Sequence, residues 1–514
     1  MNFLRVILLK NMSILDKVEK FANRLPDPFI LFFILAILVL IASAIGDYLG
    51  LKAIHPANGN EIRIVNLLTP EFLRKIFTDA VKNFIEFPPL GLVLVTVMGV
   101  GLAERTGMLS SYLKLMVTVV PKSLIVPALA FSSIFSHIMG DACVVIMPAL
   151  GAILFKSVGR NPIAGLVIAF VGACGGISAN IILTAIDPLL SGFTTAAAKI
   201  IDSTYEVYPT ANYYFMLFSS IFLTSLITFI NWKIIEPQLG FEPIQQNVDD
   251  QENLDKLNKN EQKAVIYSLI SLLILTTILL FLVLPEKAVF RDSNGNLIPL
   301  YKSIIFLIMT FFGISGVVYG IVAKTVSSSK DVASKVADSI GSMGSYIILA
   351  FAASQFLAYF MWSNFGIVIA VNGADFLKSI GLNGVPLLIA FMLFSGIMNL
   401  FITSASAKWA IFAPIFVPMM MLLGFSPEAT QALFRVADSP INLITPLLPY
   451  FPIIIILAKK YDHNINFGKL LRYLLPYAII IFVTWGSLLI AWIILDIPLG
   501  PESLNFFDPI NLTK

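Results

Sequence analysis

The stretch Asn399-Leu-Phe-Ile-Thr-Ser-Ala-Ser-Ala-Lys-Trp409 interrupts an apolar region that runs from about residue 384 to 423. That region is about twice as long as the ~20 mostly apolar residues of one helical membrane crossing. Two half-membrane arms joined by a polar break form a re-entrant hairpin, because non-helical backbone at that depth is tolerated only against protein or an aqueous cavity. The stretch therefore predicts a re-entrant helical hairpin, hairpin 2.

A second apolar region, about 122–157, is also too long for one crossing and has a break at Ser136-His-Ile-Met-Gly-Asp141. It predicts hairpin 1. The other apolar runs are continuous and do not alternate with period two, so they indicate helices rather than the strands of an outer-membrane barrel. They predict about nine transmembrane helices, at 28–49, 86–104, 161–184, 212–232, 264–285, 302–323, 343–371, 427–458 and 473–496.

The composition is that of a polytopic membrane protein. Hydrophobic residues make up 58% and charged residues 13%, against ~25% charged residues in soluble proteins. The net charge of +3 is spread along the chain and gives no reason to expect a nucleic-acid partner. The cysteines and histidines lack metal-ligand spacing. The sequence contains neither an intramembrane protease motif nor a Walker A loop, so we expect that the protein is not an enzyme.

The predicted organisation has two halves. Residues 28–235 form the first half with hairpin 1, residues 264–498 form the second half with hairpin 2, and the polar segment 236–263 is a cytoplasmic linker. A cytoplasmic N-terminal arm (1–27) precedes the halves, and a C-terminal tail (499–514) follows them. The segments that this topology places inside are richer in Lys and Arg than those outside, as the positive-inside rule requires.

The two halves form an inverted repeat in this topology. An odd number of spans separates the hairpins, so they enter the membrane from opposite sides. The segment Asp141-Ala-Cys-Val-Val-Ile-Met-Pro148 matches Ala407-Lys-Trp-Ala-Ile-Phe-Ala-Pro414 in spacing. The predicted fold class is therefore all-α and polytopic, with about nine transmembrane helices and two re-entrant hairpins, an architecture common among secondary transporters.

A first cluster of candidate site residues lies where glycines and polar residues follow the 161–184 span, from Gly175-Gly-Ile-Ser-Ala-Asn180 to Asp187. This composition suggests an unwound helix. Its free carbonyls and the side chains of Ser178, Asn180 and Asp187 would coordinate a cation or accept hydrogen bonds from a substrate. An ordinary helix end, capped by Asp187 at the outer interface, explains the same residues and stays open.

A second cluster lies at the break of hairpin 2. A half-helix that begins there points its positive end into the cavity, which favours a carboxylate substrate. Lys408 adds a cation and Trp409 an aromatic face, and Asn399, Ser404 and Ser406 are further candidate ligands. The alternative is small-residue helix packing with a snorkelling Lys408.

A third cluster lies in the 427–458 span. Arg435 and Asp438 are three residues apart, so they can pair on one helix face. Prolines then break that helix, and Pro427 and Asn442 flank the pair as candidate substrate contacts. The alternative is a structural ion pair that only neutralises itself.

Asp187, Asp438 and Asp141 are the candidate ion-coupling residues. An ionisable residue within the membrane costs at least ~2.5–3.5 kcal/mol and therefore requires a partner or a function. Asp141 is explained equally well as a helix cap. The coupling ion is a proton or Na⁺, and we expect no other cofactor. The candidate Na⁺ ligands are Ser178, Asn180, Asn399 and Thr403.

The chain resembles the AbgT family of p-aminobenzoyl-glutamate transporters over almost its whole length. The likeness is most specific in Ser404-Ala-Ser-Ala-Lys-Trp-Ala-Ile-Phe-Ala-Pro-Ile-Phe-Val-Pro418 and Arg435-Val-Ala-Asp-Ser439. The resemblance implies a homodimer. We expect it in the lipid of the bacterial cytoplasmic (inner) membrane, with the N-terminus inside, as the distribution of Lys and Arg indicates. The resemblance also implies a substrate site at Asp187, Asn399, Ser406, Trp409, Pro427, Arg435 and Asp438.

We therefore expect a secondary active transporter of p-aminobenzoyl-glutamate or a similar aromatic or acyl-amino-acid carboxylate. Two alternatives stay open, a proton-driven efflux pump for sulfonamide-type antimetabolites and a carrier of another dicarboxylate or short peptide. A channel is a further class, but it would not need inverted hairpins.

Overall fold

The computed structural model describes residues 26–54, 61–118, 120–239 and 257–508, which are mostly helical. Most of the predicted N-terminal arm and linker, and the end of the tail, lie outside these residues. The α-helices, numbered in chain order, are Pro28–Tyr48 (α1), Pro70–Ile85 (α2), Pro88–Arg105 (α3), Met108–Thr118 (α4), Ile125–Phe135 (α5), Cys143–Ser157 (α6), Pro162–Phe170 (α7), Ile186–Ala198 (α8), Tyr213–Ile230 (α9), Glu236–Leu239 (α10), Lys259–Val283 (α11), Ile298–Ala323 (α12), Ser329–Gly341 (α13), Gly344–Trp362 (α14), Phe365–Ser379 (α15), Gly384–Asn399 (α16), Ala405–Leu422 (α17), Pro427–Ile441 (α18), Phe451–Lys459 (α19) and Phe467–Ile494 (α20).

A small β-hairpin departs from the all-helical expectation. Strand β1 (Lys52–Ile54) pairs antiparallel with β2 (Glu61–Arg63) in the loop that the topology places outside. Hydrogen bonds from Lys52 Nζ and Arg63 Nε, both 2.6 Å long, reach the Glu61 carboxylate. These bonds lower the pKa of Glu61, and the charges tie the two short strands together at the surface.

In the described chain, nine helical stretches are long and apolar enough to cross a membrane. Most of them coincide with predicted spans. Two of the nine, Lys122–Gly140 and Ala405–Leu422, fall instead in the regions predicted as hairpins. The nine stretches are Pro28–Tyr48, Pro70–Arg105, Lys122–Gly140, Tyr213–Leu239, Lys259–Val283, Ile298–Ala323, Gly344–Trp362, Ala405–Leu422 and Phe467–Ile494.

The prediction of one span over 343–371 was wrong in its length. Helix α14 ends at Trp362, and Asn364, with φ of 62°, separates it from α15. Asparagine is among the few non-glycine residues that adopt this left-handed conformation readily. The side chain of Asn364 also donates a hydrogen bond to the backbone oxygen of Arg63, 2.9 Å away, which holds this corner against the β-hairpin.

Hairpin 2 has the helix–break–helix form that the sequence predicts. The rings of Phe391 and Phe416 lie 5.1 Å apart, and those of Phe394 and Phe412 lie 5.3 Å apart. Residues further along α16 thus meet residues earlier in α17, so the two arms are antiparallel. The arms have 16 and 18 residues. The polar break between two antiparallel arms, rather than their length, is consistent with re-entrance.

Hairpin 1 has a similar break. Helices α5 and α6 are joined by a 3₁₀ segment, Ser136–Ala142, which is kinked at Gly140 (φ 57°, ψ −141°). Helix α6 packs closely on α7. A Cβ added to Gly151 would lie only 2.4 Å from the backbone oxygen of Gly165.

The two predicted helix breaks in the spans are present, and they meet. Helix α7 continues as a π-helical turn, Val171–Gly175, after which the chain is not helical until α8 begins. Helix α18 ends at Ile441, one residue after Pro440, and the next helix begins at Phe451. A Cβ on Gly175 would lie 2.9 Å from Leu443 Cδ1, so the two breaks are in close contact and a larger residue at 175 would require the Leu443 side chain to shift.

Candidate functional site

Arg435 and Asp187 bring the two helix breaks together electrostatically. Arg435 Nη2 lies 2.7 Å from Asp187 Oδ1, and both side chains are buried. Asp187 is in the first turn of α8, where its Oδ2 accepts hydrogen bonds from Thr184 N (2.6 Å) and Thr184 Oγ1 (3.1 Å). The Asp187 carboxylate is thus anchored on one side, while its other oxygen faces the guanidinium.

The described residues do not satisfy the Arg435 guanidinium. Its Nε and Nη1 atoms are buried and make no hydrogen bond to any described residue. The contact with Asp187 is close but not aligned as a hydrogen bond. Because an unpaired buried donor is costly, this cation has the capacity to bind a second carboxylate through a planar pair of N–H groups.

Lys408 is fully occupied by protein groups. Its Nζ donates to Asn399 Oδ1 (2.7 Å), to the Ile402 oxygen (3.1 Å) and to Asp438 Oδ1. Asn399 Nδ2 donates in turn to the backbone oxygen of Asp438 (2.7 Å) and to Asn442 Oδ1 (2.9 Å). Each of the three ammonium hydrogens has an acceptor, so Lys408 ties hairpin 2 to α18 and has no further donor for a substrate.

The predicted pairing of Arg435 with Asp438 was wrong. Both residues lie on α18, three apart, but Arg435 contacts Asp187 and Asp438 contacts Lys408. An exposed helix favours the local i,i+3 pair. Within this protein each charge instead pairs across helices, which joins α18 to α8 and to α17.

The start of α17 is capped by hydroxyl groups. Ser404 is the N-cap residue, and its Oγ accepts a hydrogen bond from Ala407 N, 3.3 Å away. The Oγ atoms of Ser404 and Ser406 lie 3.1 Å apart. The positive end of the α17 dipole therefore lies at the break of hairpin 2, as the sequence predicts.

Trp409 is packed rather than open. Its ring stacks on Phe434 with centroids 4.5 Å apart, and its side chain is fully buried. Its Nε1 donates to Thr194 Oγ1 at 2.9 Å. In this conformation a substrate ring would have to displace Phe434 before it could stack on Trp409.

The other candidates are less closely connected to this cluster. Asn180 is buried and its Nδ2 has no hydrogen-bond partner among the described residues. No hydrogen bond between described residues joins Ser178 or Asn180 to Asn399 or Thr403. Pro427 is the first residue of α18. Asp141 lies in the 3₁₀ segment of hairpin 1, and its side chain is outside what the structure describes.

The described residues contain no group of three or more His, Cys, Asp or Glu that would hold a metal ion. In hairpin 1, His137 is buried with its Nδ1 3.8 Å from Cys143 Sγ. The 3₁₀ segment packs against α3, α5 and α6, and no hydrogen bond between described residues connects His137 to the cluster around Arg435.

Sequence reasoning missed a buried polar chain that continues from Trp409. Thr194 Oγ1 donates to Gln431 Oε1 (2.6 Å), and Gln431 Nε2 donates to Asn212 Oδ1 (2.8 Å). Asn212 Nδ2 donates to the backbone oxygen of Glu428 (3.0 Å). All of these side chains are buried.

A sequence signal for part of this chain exists. The polar residues of α18 recur at steps of three and four and so form one face of the helix. An apolar span that carries such a stripe must bury it against protein. The members of the stripe are Glu428, Gln431, Arg435, Asp438 and Asn442.

Together these contacts form a buried, charged cluster at the point where two broken helices and one hairpin meet. It offers one cation with open donors, one helix N-terminus and an aromatic pair. Discontinuous helices with N-termini aimed at an anionic group are the usual binding architecture of secondary transporters. The geometry suits recognition of a small aromatic carboxylate.

Comparisons with known proteins agree with this reading. The family model described as "AbgT putative transporter family" matches residues 13–507. The p-aminobenzoyl-glutamate transport protein of Escherichia coli (strain K12) is 38% identical over 488 residues, which cover 94% of this chain and 95% of that protein.

Two solved structures have the same fold. The YdaH transporter of Alcanivorax borkumensis superposes with a TM-score of 0.89 at 37% identity, covering 93% of this chain and 100% of that one. MtrF of Neisseria gonorrhoeae, described within a class of antimetabolite efflux pumps, superposes with a TM-score of 0.90 at 39% identity, covering 95% and 100%. The chain is a multi-pass membrane protein and belongs to the AbgT transporter family.

Proposed function

We propose that this transporter carries p-aminobenzoyl-glutamate, or a similar aromatic or acyl-amino-acid carboxylate, by secondary active transport. One observation carries the proposal: Arg435 is a buried cation whose Nε and Nη1 donors have no partner among the described residues. The name of the Escherichia coli relative, 38% identical, supports the choice of substrate.

The substrate chemistry fits the groups around Arg435. A carboxylate would accept two parallel N–H bonds from the guanidinium. The hydroxyl groups of Ser404 and Ser406 and the N-terminus of α17 are suited to a second carboxylate or an amide oxygen. Trp409 supplies the aromatic face on which a p-aminobenzoyl ring would stack after displacing Phe434, which occupies that face here.

Coupling follows from competition for Arg435. A substrate carboxylate that binds the guanidinium competes with Asp187, whose Oδ1 lies only 2.7 Å from Nη2. A displaced Asp187 carboxyl would be buried without its cation, so Asp187 is the first candidate to bind the coupling proton. Substrate and proton would then bind together at adjacent groups. Asp438 is the second candidate, and Na⁺ held near Ser178 and Asn180 is the alternative ion.

Export of sulfonamide-type antimetabolites is the second candidate function. The likeness to MtrF, which is described within a class of antimetabolite efflux pumps, favours it. Sulfonamides share a p-aminophenyl group with p-aminobenzoyl-glutamate, so one aromatic surface would serve both. The two substrates differ in the carboxylates that Arg435 would bind.

The assembly and its placement belong to the same proposal. We place the transporter in the bacterial inner membrane as a homodimer, with its N-terminus in the cytoplasm and its hairpins entering from opposite sides. Cross-linking of the protein in native membranes would test the dimer. Labelling of cysteines introduced at Lys82 and at Lys330, predicted to lie on opposite sides, would test the topology.

The transport experiment uses purified protein in liposomes. Labelled p-aminobenzoyl-glutamate and a labelled sulfonamide are each offered under an imposed pH gradient, a Na⁺ gradient and no gradient. The proposal predicts saturable accumulation of p-aminobenzoyl-glutamate above its equilibrium level under one of the gradients. Accumulation of the sulfonamide alone would favour the second candidate, and equal slow leakage of both under every condition would overturn both.

A further inference from the structure

Glu428 is a buried carboxyl that the proposed mechanism does not use. It lies in the first turn of α18, two residues after the N-cap Ser426. Only 3% of its surface is exposed. Its Oε2 accepts a hydrogen bond from the Tyr205 hydroxyl, 2.9 Å away.

Glu428 differs from the other buried carboxylates of the site in its lack of a cation. Asp187 has Arg435 beside it and Asp438 has Lys408, so each of these carboxyl groups has a basic partner. Glu428 forms no ion pair with any described residue. A buried carboxyl with only hydroxyl and amide neighbours is the kind that binds a proton in place of a counter-ion.

The described charged groups on the helices packed against α18 supply no counter-ion to Glu428. Helix α16 contains no charged residue. The basic residue of α17 is Lys408, which pairs with Asp438. Helix α8 carries Asp187, paired with Arg435, and Lys199 at its C-cap, which makes no ion pair with Glu428.

The remaining neighbours are acids or lie far away. Helix α20 carries its basic residues, Lys469 and Arg472, in its first turns, whereas its opposite end leads into the segment that contacts Ser426. In that segment Asp496 and Glu502 are both exposed.

Tyr205 is the titratable group that faces Glu428 directly. It lies in the loop between α8 and α9, with Asp202 close behind it. Burial, together with the Glu428 carboxylate, raises the pKa of Tyr205. The phenol therefore keeps its proton at physiological pH and remains the donor in the contact with Glu428.

We propose that Glu428 is a proton-binding site of the transport cycle. It would bind one proton at its carboxyl group when that group is enclosed beneath Tyr205, and release it to water when the loop moves away. The inference rests on the proposed function and adds a specific residue to it. Glu428 lies seven residues before Arg435, which is ~10 Å along the helix, at the end of α18 that the topology places outside.

Hydrogen bonds connect the first turn of α18, which holds Glu428, to the substrate cluster. The backbone oxygen of Glu428 accepts from Asn212, and Asn212 is bonded to Gln431. Gln431 accepts from Thr194, which accepts from Trp409. A change in how the first turn of α18 is held therefore reaches the side chain of Trp409 through bonded neighbours.

The test compares exchange with coupled transport in liposomes. Glu428→Gln mimics the neutral carboxyl, so it should support exchange of labelled for unlabelled p-aminobenzoyl-glutamate at equal pH on both sides. It should lose the accumulation that a pH gradient drives in the wild type. Glu502→Gln, which neutralises an exposed acid nearby, is the matched control and should retain both activities.

Tyr205→Phe provides a second measurement if Glu428→Gln does not fold. Loss of the hydroxyl removes a donor that stabilises the ionised carboxylate, so the pH midpoint of transport should move to higher pH. An unmoved midpoint would overturn the proposal.

The outcomes separate the inference from the function on which it rests. Unchanged pH-driven accumulation by folded Glu428→Gln would overturn the role of Glu428 alone. So would loss of exchange together with coupling in the folded variant, because that pattern indicates a structural role. Absence of gradient-driven transport in the wild type would instead overturn the proposed function.

Discussion

Arg435 Nη2 lies 2.7 Å from Asp187 Oδ1, and this contact joins a broken helix of the second half to a broken helix of the first. The guanidinium is therefore held at the meeting point of the two halves while its Nε and Nη1 donors stay free of described partners. A residue in this position responds to any relative movement of the two halves. It is also the group best able to bind a substrate carboxylate.

Replacing Arg435 should weaken substrate binding. Each charge-assisted hydrogen bond contributes about 1.5–3 kcal/mol, and a tenfold change in affinity corresponds to about 1.4 kcal/mol. Arg435→Gln should therefore weaken binding of p-aminobenzoyl-glutamate by about tenfold to a hundredfold or more. Isothermal titration of the purified protein measures this directly.

The control for Arg435→Gln is the double variant with Asp187→Asn. The single variant leaves the Asp187 carboxylate buried without a cation, which costs about 3–5 kcal/mol of stability. The double variant removes that charge and should recover most of the thermal stability without recovering binding. Recovery of binding in the double variant would show that Arg435 does not contact the substrate.

Lys408 should matter for stability more than for affinity. Its three donors are used by Asn399, Ile402 and Asp438. Lys408→Met leaves Asp438 buried and unpaired, and we expect a loss of about 3–5 kcal/mol, measured by thermal unfolding in detergent. Lys469→Met, which breaks a partly exposed ion pair with Asp462, is the matched control and should cost about 1 kcal/mol or less. Equal effects of the two changes would contradict this assignment.

Gly99 should not tolerate a side chain. A Cβ at this position would lie 2.4 Å from the backbone of Met309 on α12. Gly99→Ala must push α3 and α12 apart, and overpacking of this kind costs about 1–3 kcal/mol or more. Gly91→Ala, on the same helix with nothing within 4 Å of the added carbon, should leave stability unchanged or raise it by about 0.5–1 kcal/mol. A thermal-unfolding comparison of the two variants checks this, and a stable Gly99→Ala would refute the close helix contact.

Thr194 should stabilise the site through its hydroxyl group. Thr194→Val leaves Trp409 Nε1 and Gln431 Oε1 buried without the bonds that they make to Thr194. We expect a loss of about 1–3 kcal/mol of stability. Thr276→Val, at an exposed position on α11 where the hydroxyl bonds only to the Leu272 oxygen, serves as the comparison and should change stability by about 0.5 kcal/mol or less. Similar losses for both variants would rule out a special role for Thr194.

The helix breaks were predictable because their cause is local. Gly175, Gly176, Pro440 and the Ser-rich segment before Lys408 each disfavour a continuous helix within a few residues. The end of α14 was not predicted, because its local signal is weaker. Asn364, which adopts a left-handed conformation there, has no proline or glycine directly beside it, and the nearest glycine, Gly366, already lies within α15.

The ion pairs were not predictable from spacing. Arg435 and Asp438 have the separation of a helical pair, yet their partners, Asp187 and Lys408, are distant in sequence. Only the packing of α18 against α8 and α17 brings those partners within reach. The sequence therefore predicts which charged residues lie together here, but not which of them pair with each other.

The buried polar chain was not predicted, because most of its members carry no charge. Thr194 and Gln431 are uncharged, and Glu428 stands at the end of the span, where an acidic residue is common in a first helical turn. The stripe of polar residues along α18 was nonetheless visible at helical spacing. Its partners Asn212 and Tyr205 lie in a loop, whose contacts no periodicity predicts.

Counterflow in liposomes tests the central claim most directly. Proteoliposomes preloaded with unlabelled p-aminobenzoyl-glutamate are diluted into a trace of the labelled compound, with the wild type and Arg435→Gln compared. If Arg435 lies in the substrate site of a carrier, the wild type should accumulate the labelled compound transiently. The variant should accumulate little more of it than protein-free liposomes do. Equal accumulation by both proteins, or none by the wild type, would contradict the account.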